Sequence, residues 1–152
     1  MKILVAYYSR TEKTKKVAEY IKKELGADIE EIVPVKGYSG KVGYARGCVD
    51  APRGKTPEIK PIKSNPSDYD LVIIGTPVWC FTMASPVLTY IRENKDKFKD
   101  VAFFATAGST GMESTLKDME TESKKPLDSF YLTKLDVDKF ENKVDKFIKN
   151  LN

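Results

Sequence analysis

The chain contains no histidine and only two cysteines, Cys48 and Cys80. Histidine-based nucleophilic triads are therefore excluded, and the residues give no ligand set for a structural zinc ion. Two lone cysteines in a chain expected in the cytoplasm read as buried or free thiols rather than a disulfide. No apolar run is long enough to span a bilayer, so no membrane association is expected. Lys2 is followed at once by a strand pattern, which leaves no room for a signal peptide. The glycine-rich phosphate fingerprints G-x-x-x-x-G-K-[ST] and G-x-G-x-x-G are missing too. So is a strong excess of one charge: 26 Lys+Arg stand against 22 Asp+Glu, a net charge of +4. The cations are spread out, with no basic helix interleaved with aromatics, so nucleic-acid binding is not expected.

What is present is the balance of a folded domain. The 152 residues are 41% hydrophobic and 32% charged, enough to bury a real core in a single domain over residues 1–152. Ile3–Tyr7 is a continuous apolar run, as in a strand covered on both faces. Val17, Ala18, Ile21 and Leu25 then share a helical face that Gly26 stops. Asp28–Val33 reads as a second, less apolar strand nearer an edge. Residues 36–66 are the least regular part, rich in Gly and Pro. Within them Val42, Ala45, Cys48 and Val49 share a helical face, predicting a short helix near 39–50. Ala51–Pro66 reads as a basic surface loop.

Leu71–Ile74 is a second fully apolar strand. Ser85-Pro86 marks a helix start, with Ser85 as N-cap. Val101–Thr106 is a further strand, and Met112, Leu116 and Met119 give the next helical face. Ser129–Leu135 reads as the last strand. Asp138 and Glu141 resemble a capping box before a closing helix marked by Phe140, Val144, Phe147, Ile148 and Leu151. Strands alternating with helices predict an α/β fold: a five-stranded parallel sheet with helices on both faces.

In such a fold, ligands sit at the carboxyl ends of the strands. Three loops there are unusual. Ser9-Arg10-Thr11-Glu12-Lys13-Thr14 leads from the first strand into a helix start, where N–H groups and the helix dipole favour an anion. It reads as a phosphate cradle or as an ordinary cap. Thr76-Pro77-Val78-Trp79-Cys80-Phe81 carries the only tryptophan. Trp79 and Phe81 either cap the core or offer an aromatic wall to a planar ligand. Thr106-Ala107-Gly108-Ser109-Thr110-Gly111 is small enough for backbone to approach a ligand closely. Cys80 could touch a ring held there or serve as a small apolar filler.

These three stretches, in this order, resemble the flavodoxin-like family of FMN proteins. The resemblance implies a three-layer fold of sheet order 2-1-3-4-5, with FMN as cofactor. It implies a phosphate on residues 9–14, held by the hydroxyls of Ser9, Thr11 and Thr14. It further implies an isoalloxazine ring between residues 76–82 and 106–111, stacked on Trp79. The chain departs from the family pattern where Glu12-Lys13 replace a usual Gly-Asn, and where Cys80-Phe81 follow the aromatic in place of a glycine. Its surface is basic where electron carriers are acidic, and residues 106–111 hold no aromatic. The functions implied are electron transfer to a redox partner protein, or small-molecule reduction of a quinone or nitro compound by NAD(P)H. A fold that has lost flavin and serves as a binding domain is a third. Either a monomer or a homodimer fits.

Overall fold

The computed structural model describes residues 1–136 and 139–152. Its centre is a parallel sheet built from β1 (Ile3–Tyr7), β2 (Asp28–Glu31), β3 (Leu71–Trp79), β5 (Asp100–Thr106) and β6 (Ser129–Leu132). A two-residue strand, β4 (Thr82–Met83), pairs antiparallel with the end of β3. The parallel order is β2-β1-β3-β5-β6, which is the expected 2-1-3-4-5 arrangement with one extra short strand. Five helices alternate with the strands among the described residues: α1 (Glu12–Leu25), α2 (Gly40–Asp50), α3 (Ser85–Asn94), α4 (Met112–Glu122) and α5 (Phe140–Asn150).

Side-chain alternation along the strands divides the core in two. Leu4, Ala6, Val72, Ile74, Val101 and Phe103 pack on the face covered by α3 and α4. Val5, Tyr7, Leu71, Ile73, Ala102 and Phe104 pack on the face covered by α1 and α5. A strand wet on one face could not carry two such sets, which is why β1, β3 and β5 read as unbroken apolar runs.

Helix α1 forms as its stripe predicts. Val17, Ala18 and Ile21 are buried. Gly26 closes the helix in the left-handed region at φ 61, its N–H donating to the Lys22 carbonyl. Helix α2 lies where expected but faces the other way. Val42 and Val49 are exposed, and the buried positions are Gly43 and Gly47. At Gly43 an added Cβ would stand 2.2 Å from the Tyr38 carbonyl carbon; at Gly47 it would stand 3.0 Å from the Trp79 indole. Glycine therefore makes the contact, and the valines are left outside.

The basic stretch 51–66 is not free. Its second half pairs with the chain just past β2, through an antiparallel bridge of Pro34 with Ile59. Val35 N–H donates to the Glu58 carbonyl at 2.9 Å and Lys60 N–H to the Val33 carbonyl at 2.7 Å. The buried Glu30 carboxylate accepts from the N–H groups of Lys63 and Ser64 at 2.8 and 2.7 Å. Two boundaries differ from the sequence reading. Ser85 is the first residue of α3, after Ala84, and its hydroxyl is buried without capping the helix. The last strand stops at Leu132, and Lys134–Asp136 form a short 3-10 turn. The capping box assigned to Asp138 falls outside the described residues.

Candidate functional site

The phosphate-like loop sits between the carboxyl end of β1 and the start of α1. Thr11 occupies the N-cap position in extended backbone, and its side chain makes no capping bond. The Ser9 hydroxyl takes over part of that role: it accepts from Lys15 N–H at 3.2 Å and donates to the Thr11 carbonyl. The N–H groups of Glu12, Lys13 and Thr14 belong to the first helical turn and have no acceptor of their own in the helix. Among the described residues nothing else accepts from them. Three donors and the positive end of a 14-residue helix thus point outward beside the half-buried Arg10 and the exposed Lys13. The arrangement suits an anion.

Glu12 is turned out, its carboxylate 3.9 Å from the Lys15 ammonium. The Arg10 guanidinium lies 5.1 Å from the ring centre of Tyr44 on α2, so it is placed against an aromatic face. Thr14 does not look outward. It is buried, and its hydroxyl meets the Thr106 hydroxyl at 2.9 Å. That bond joins the first loop to the end of β5, so Thr14 and Thr106 hold the two loops together from beneath.

The second loop is a tight hairpin. Trp79 pairs with Thr82 across Cys80 and Phe81, which have φ values of 47° and 70°. Both central residues being left-handed is the pattern of a type I′ turn, normally supplied by Asn-Gly. With side chains present, each such residue costs on the order of 1–2 kcal/mol. The neighbourhood holds the turn in place. Ser114 donates to the Phe81 carbonyl at 2.6 Å, and Thr82 donates to the Asp118 carboxylate at 2.8 Å. Gly111, at φ 88, admits the turn, since a Cβ there would lie 2.9 Å from Phe81 Cα. Strain retained under such restraint is a mark of functional segments.

Trp79 differs from its expected role as a stacking wall. The indole is only 4% exposed and sits in the core, with ring centres 5.4 Å from Tyr8 and 4.8 Å from Tyr38. Alternation along β3 would place it with Ile73. Past Pro77, the last residue paired to β5, the strand pairs only with β4, and the indole joins the cluster of Val72 and Ile74 instead. Phe81 is the aromatic left outside, 64% exposed. Thr76 is also withdrawn: its buried hydroxyl donates to the Pro77 carbonyl and accepts from Ala84 N–H at 2.8 and 3.0 Å. Pro77, Val78 and Ala107 are half-buried, and Gly108 and Ser109 are exposed. The second and third loops touch through Val78 and Phe81 on Gly111, so the expected gap between them is closed at that end.

Residues absent from the sequence reading complete the surroundings. Arg10 shares a concavity with Gly40, Lys41 and Tyr44 at the start of α2. A cavity of about 120 Å³ lies on the other side of the first loop, lined by Lys13, Lys16, Thr106, Ala107 and Lys134. Lys41 and Tyr44 lie in the irregular stretch, where no spacing signal singles them out.

Comparison with known proteins bears on this geometry. The family model described as Flavodoxin matches residues 2–150. The chain belongs to the flavodoxin family. A flavoprotein of Lactobacillus acidophilus NCFM, crystallised in complex with FMN, is 26% identical; the match covers 92% of this flavodoxin and 98% of that chain, with a TM-score of 0.75. The apo-form of that flavoprotein, solved by NMR, aligns with a TM-score of 0.69 at 27% identity over 91% and 96% of the two chains. Oxidised Flavodoxin 1 from Bacillus cereus, 19% identical and covered end to end at 100% of both chains, shares the fold with a TM-score of 0.57. No curated protein matches the chain. Among the described residues no helix is long and apolar enough to cross a membrane, and no group of three or more His, Cys, Asp or Glu side chains could hold a metal ion.

Proposed function

We propose that this flavodoxin binds FMN and transfers electrons through it to a redox partner. The carrying observation is the uncommitted first turn of α1, with outward N–H groups at Glu12, Lys13 and Thr14 beside Arg10 and Lys13. It is a fitting seat for a phosphate dianion at the carboxyl end of the central strand. Membership of the family, and the similar flavoprotein crystallised with FMN, supports the choice of ligand.

The phosphate would sit on residues 9–14, held by the backbone N–H groups, by the hydroxyl of Thr11, and by the charge of Arg10 and Lys13, while the Ser9 hydroxyl braces the loop from within. A flat ring belongs over Pro77 and Val78 on one side and Ala107–Ser109 on the other. FMN supplies the redox chemistry when bound. The chain's residues do the rest. The half-buried Pro77 and Val78 on one side and Ala107 on the other would exclude water from the ring. The Arg10 and Lys13 cations offset the phosphate charge, and the clamped Cys80–Phe81 turn fixes the edge of the platform.

Mixing the flavin-free protein with FMN tests the reading. A stoichiometric yellow complex that survives gel filtration is expected; protein that remains colourless overturns it. A second reading, reduction of a quinone or nitro compound, is favoured by one observation. Phe81 is exposed and residues 106–111 hold no aromatic, so the chain leaves room for a small acceptor to stack. Steady NADPH oxidation on adding a quinone to the FMN-loaded protein would support it, and no turnover supports the carrier.

A further inference from the structure

Helix α2 turns its apolar side to solvent. Gly43 and Gly47 take the inner face against Tyr38 and Trp79. Val42, Ala45 and Val49, spaced along the opposite side, are left outside. Val42, Tyr44 and Val49 are 81%, 54% and 50% exposed. An apolar stripe kept in water and rimmed by charge marks a surface that meets another molecule. Here the rim is basic. Cations are spread along the chain, but their excess over anions is not. Residues 36–66 hold seven Lys and Arg against Asp50 and Glu58, a net charge of +5 where the whole chain has +4, so the other residues together carry −1. Among the described residues only Arg46 of those seven meets a carboxylate, 4.0 Å from Asp50. Asp50 is itself committed, accepting from the Tyr38 hydroxyl at 3.1 Å. Lys41 stands at one end of the stripe, Arg53 and Lys55 at the other, all exposed. Both ends border the proposed flavin site. At the first, Lys41 and Tyr44 share a concavity with Arg10. Past the second, Ala51, Pro52 and Gly54 line a cavity with Cys80 and Phe81.

We propose that the outer face of α2 is the docking surface for an acidic electron-carrier protein. The apolar stripe forms the dry centre of the contact, and Lys41, Arg53 and Lys55 face carboxylates around its edge. That the partner carries electrons rests on the FMN reading; the docking of an acidic protein does not. Other occupants fit less well. A second copy meeting this face across a two-fold axis would set one +5 segment against another. Nucleic acid would use the cations and leave the valines without a partner. A bilayer calls for bulkier anchors than Val42, Ala45 and Val49.

The test titrates the isotope-labelled full-length chain, FMN-loaded and flavin-free, with a small acidic [2Fe–2S] ferredoxin, and follows the backbone amides by NMR. Basic cytochrome c is the control of opposite charge. The ferredoxin should perturb the amides of Val42, Tyr44, Ala45 and Val49 and be released at high salt; cytochrome c should leave them unmoved. Val42→Ser with Val49→Ser, and separately Arg53→Glu with Lys55→Glu, should each weaken the complex at least about tenfold. The second pair should also flatten its salt dependence, and neither pair should change FMN affinity. No binding, perturbation confined to another face, or variants that bind as the parent does would each overturn the proposal. So would self-association through α2, or capture by phosphatidylserine vesicles while ferredoxin is ignored. A chain that binds FMN but not ferredoxin overturns this inference alone. A chain that docks through α2 but takes up no FMN overturns the FMN reading alone.

Discussion

Helices α1 and α2 are docked by opposite means. Helix α1 seats a stripe of Val17, Ala18 and Ile21 into the face of the sheet it shares with α5. Helix α2 has no such stripe. It closes on Tyr38 and Trp79 through Gly43 and Gly47, and leaves Val42, Tyr44 and Val49 in solvent. The first mode buries area and anchors a helix whose free end can then hold an anion. The second brings backbone close and sets the helix directly against the indole of Trp79. The anchored helix and the close-packed helix thus serve two different parts of one site.

The contrast can be broken at its strong end first. Ile21→Ala empties a fully buried position and should cost about 2–5 kcal/mol in urea unfolding. A loss below about 1 kcal/mol would mean the stripe does not anchor α1. Gly43→Ala comes next. If α2 stood clear of the fold, the change would add about 1 kcal/mol through helix propensity. With the Tyr38 backbone 2.2 Å from the new Cβ, it should instead destabilise by about 1–3 kcal/mol. The sign alone decides between the two.

Alkaline pH probes both faces at the carboxyl end of β1. Burial, the largest cause, pushes Tyr7 on the α1 side and Tyr8 on the α2 side up to about 12 from 10.0. For Tyr8 the nearby Arg10 opposes that rise. Between those values the unfolded chain gives up phenol protons that the folded chain keeps. Stability should therefore fall as pH rises from 10 to 12, by up to about 1.4 kcal/mol per pH unit for each tyrosine. Tyr8→Phe should remove its share of that slope and leave that of Tyr7 and of the other raised phenols, Tyr20 and Tyr90 among them. A flat denaturation midpoint across this window would refute burial of the two phenols. Val42→Ser is the mildest test. The residue is 81% exposed, so the change should stay within about 0.5 kcal/mol. A loss near that of Ile21→Ala would restore the valine-inward orientation.

Much of the architecture is legible in the residues, because it rests on burial. The runs at β1, β3 and β5 and the stripes of α1 and α5 declare strands covered on both faces and helices that cover them. Helix α2 is legible only as a helix. Its orientation is decided by which residues are small enough to let Trp79 approach, and apolar periodicity points to the wrong face. Trp79 itself follows the same lesson. Its place at a strand end suggests a ligand wall, but β3 loses its β5 neighbour after Pro77 and the indole turns into the core. The anion seat is legible in outline from the Ser9–Thr14 stretch. That the Thr14 and Thr106 hydroxyls meet beneath it is not, since 92 residues separate them. The left-handed Cys80–Phe81 turn carries no sequence signal either, because neither residue is one that such a turn normally recruits.

The most direct test compares FMN with riboflavin, which differs from it by the phosphate. Their dissociation constants are measured by fluorescence titration, with amide shifts of Glu12, Lys13 and Thr14 followed by NMR. With several charge-assisted bonds at the start of α1, FMN should bind at least about 100-fold more tightly, and those three amides should move with FMN and not with riboflavin. Equal affinities, with the three amides unmoved, would contradict the account.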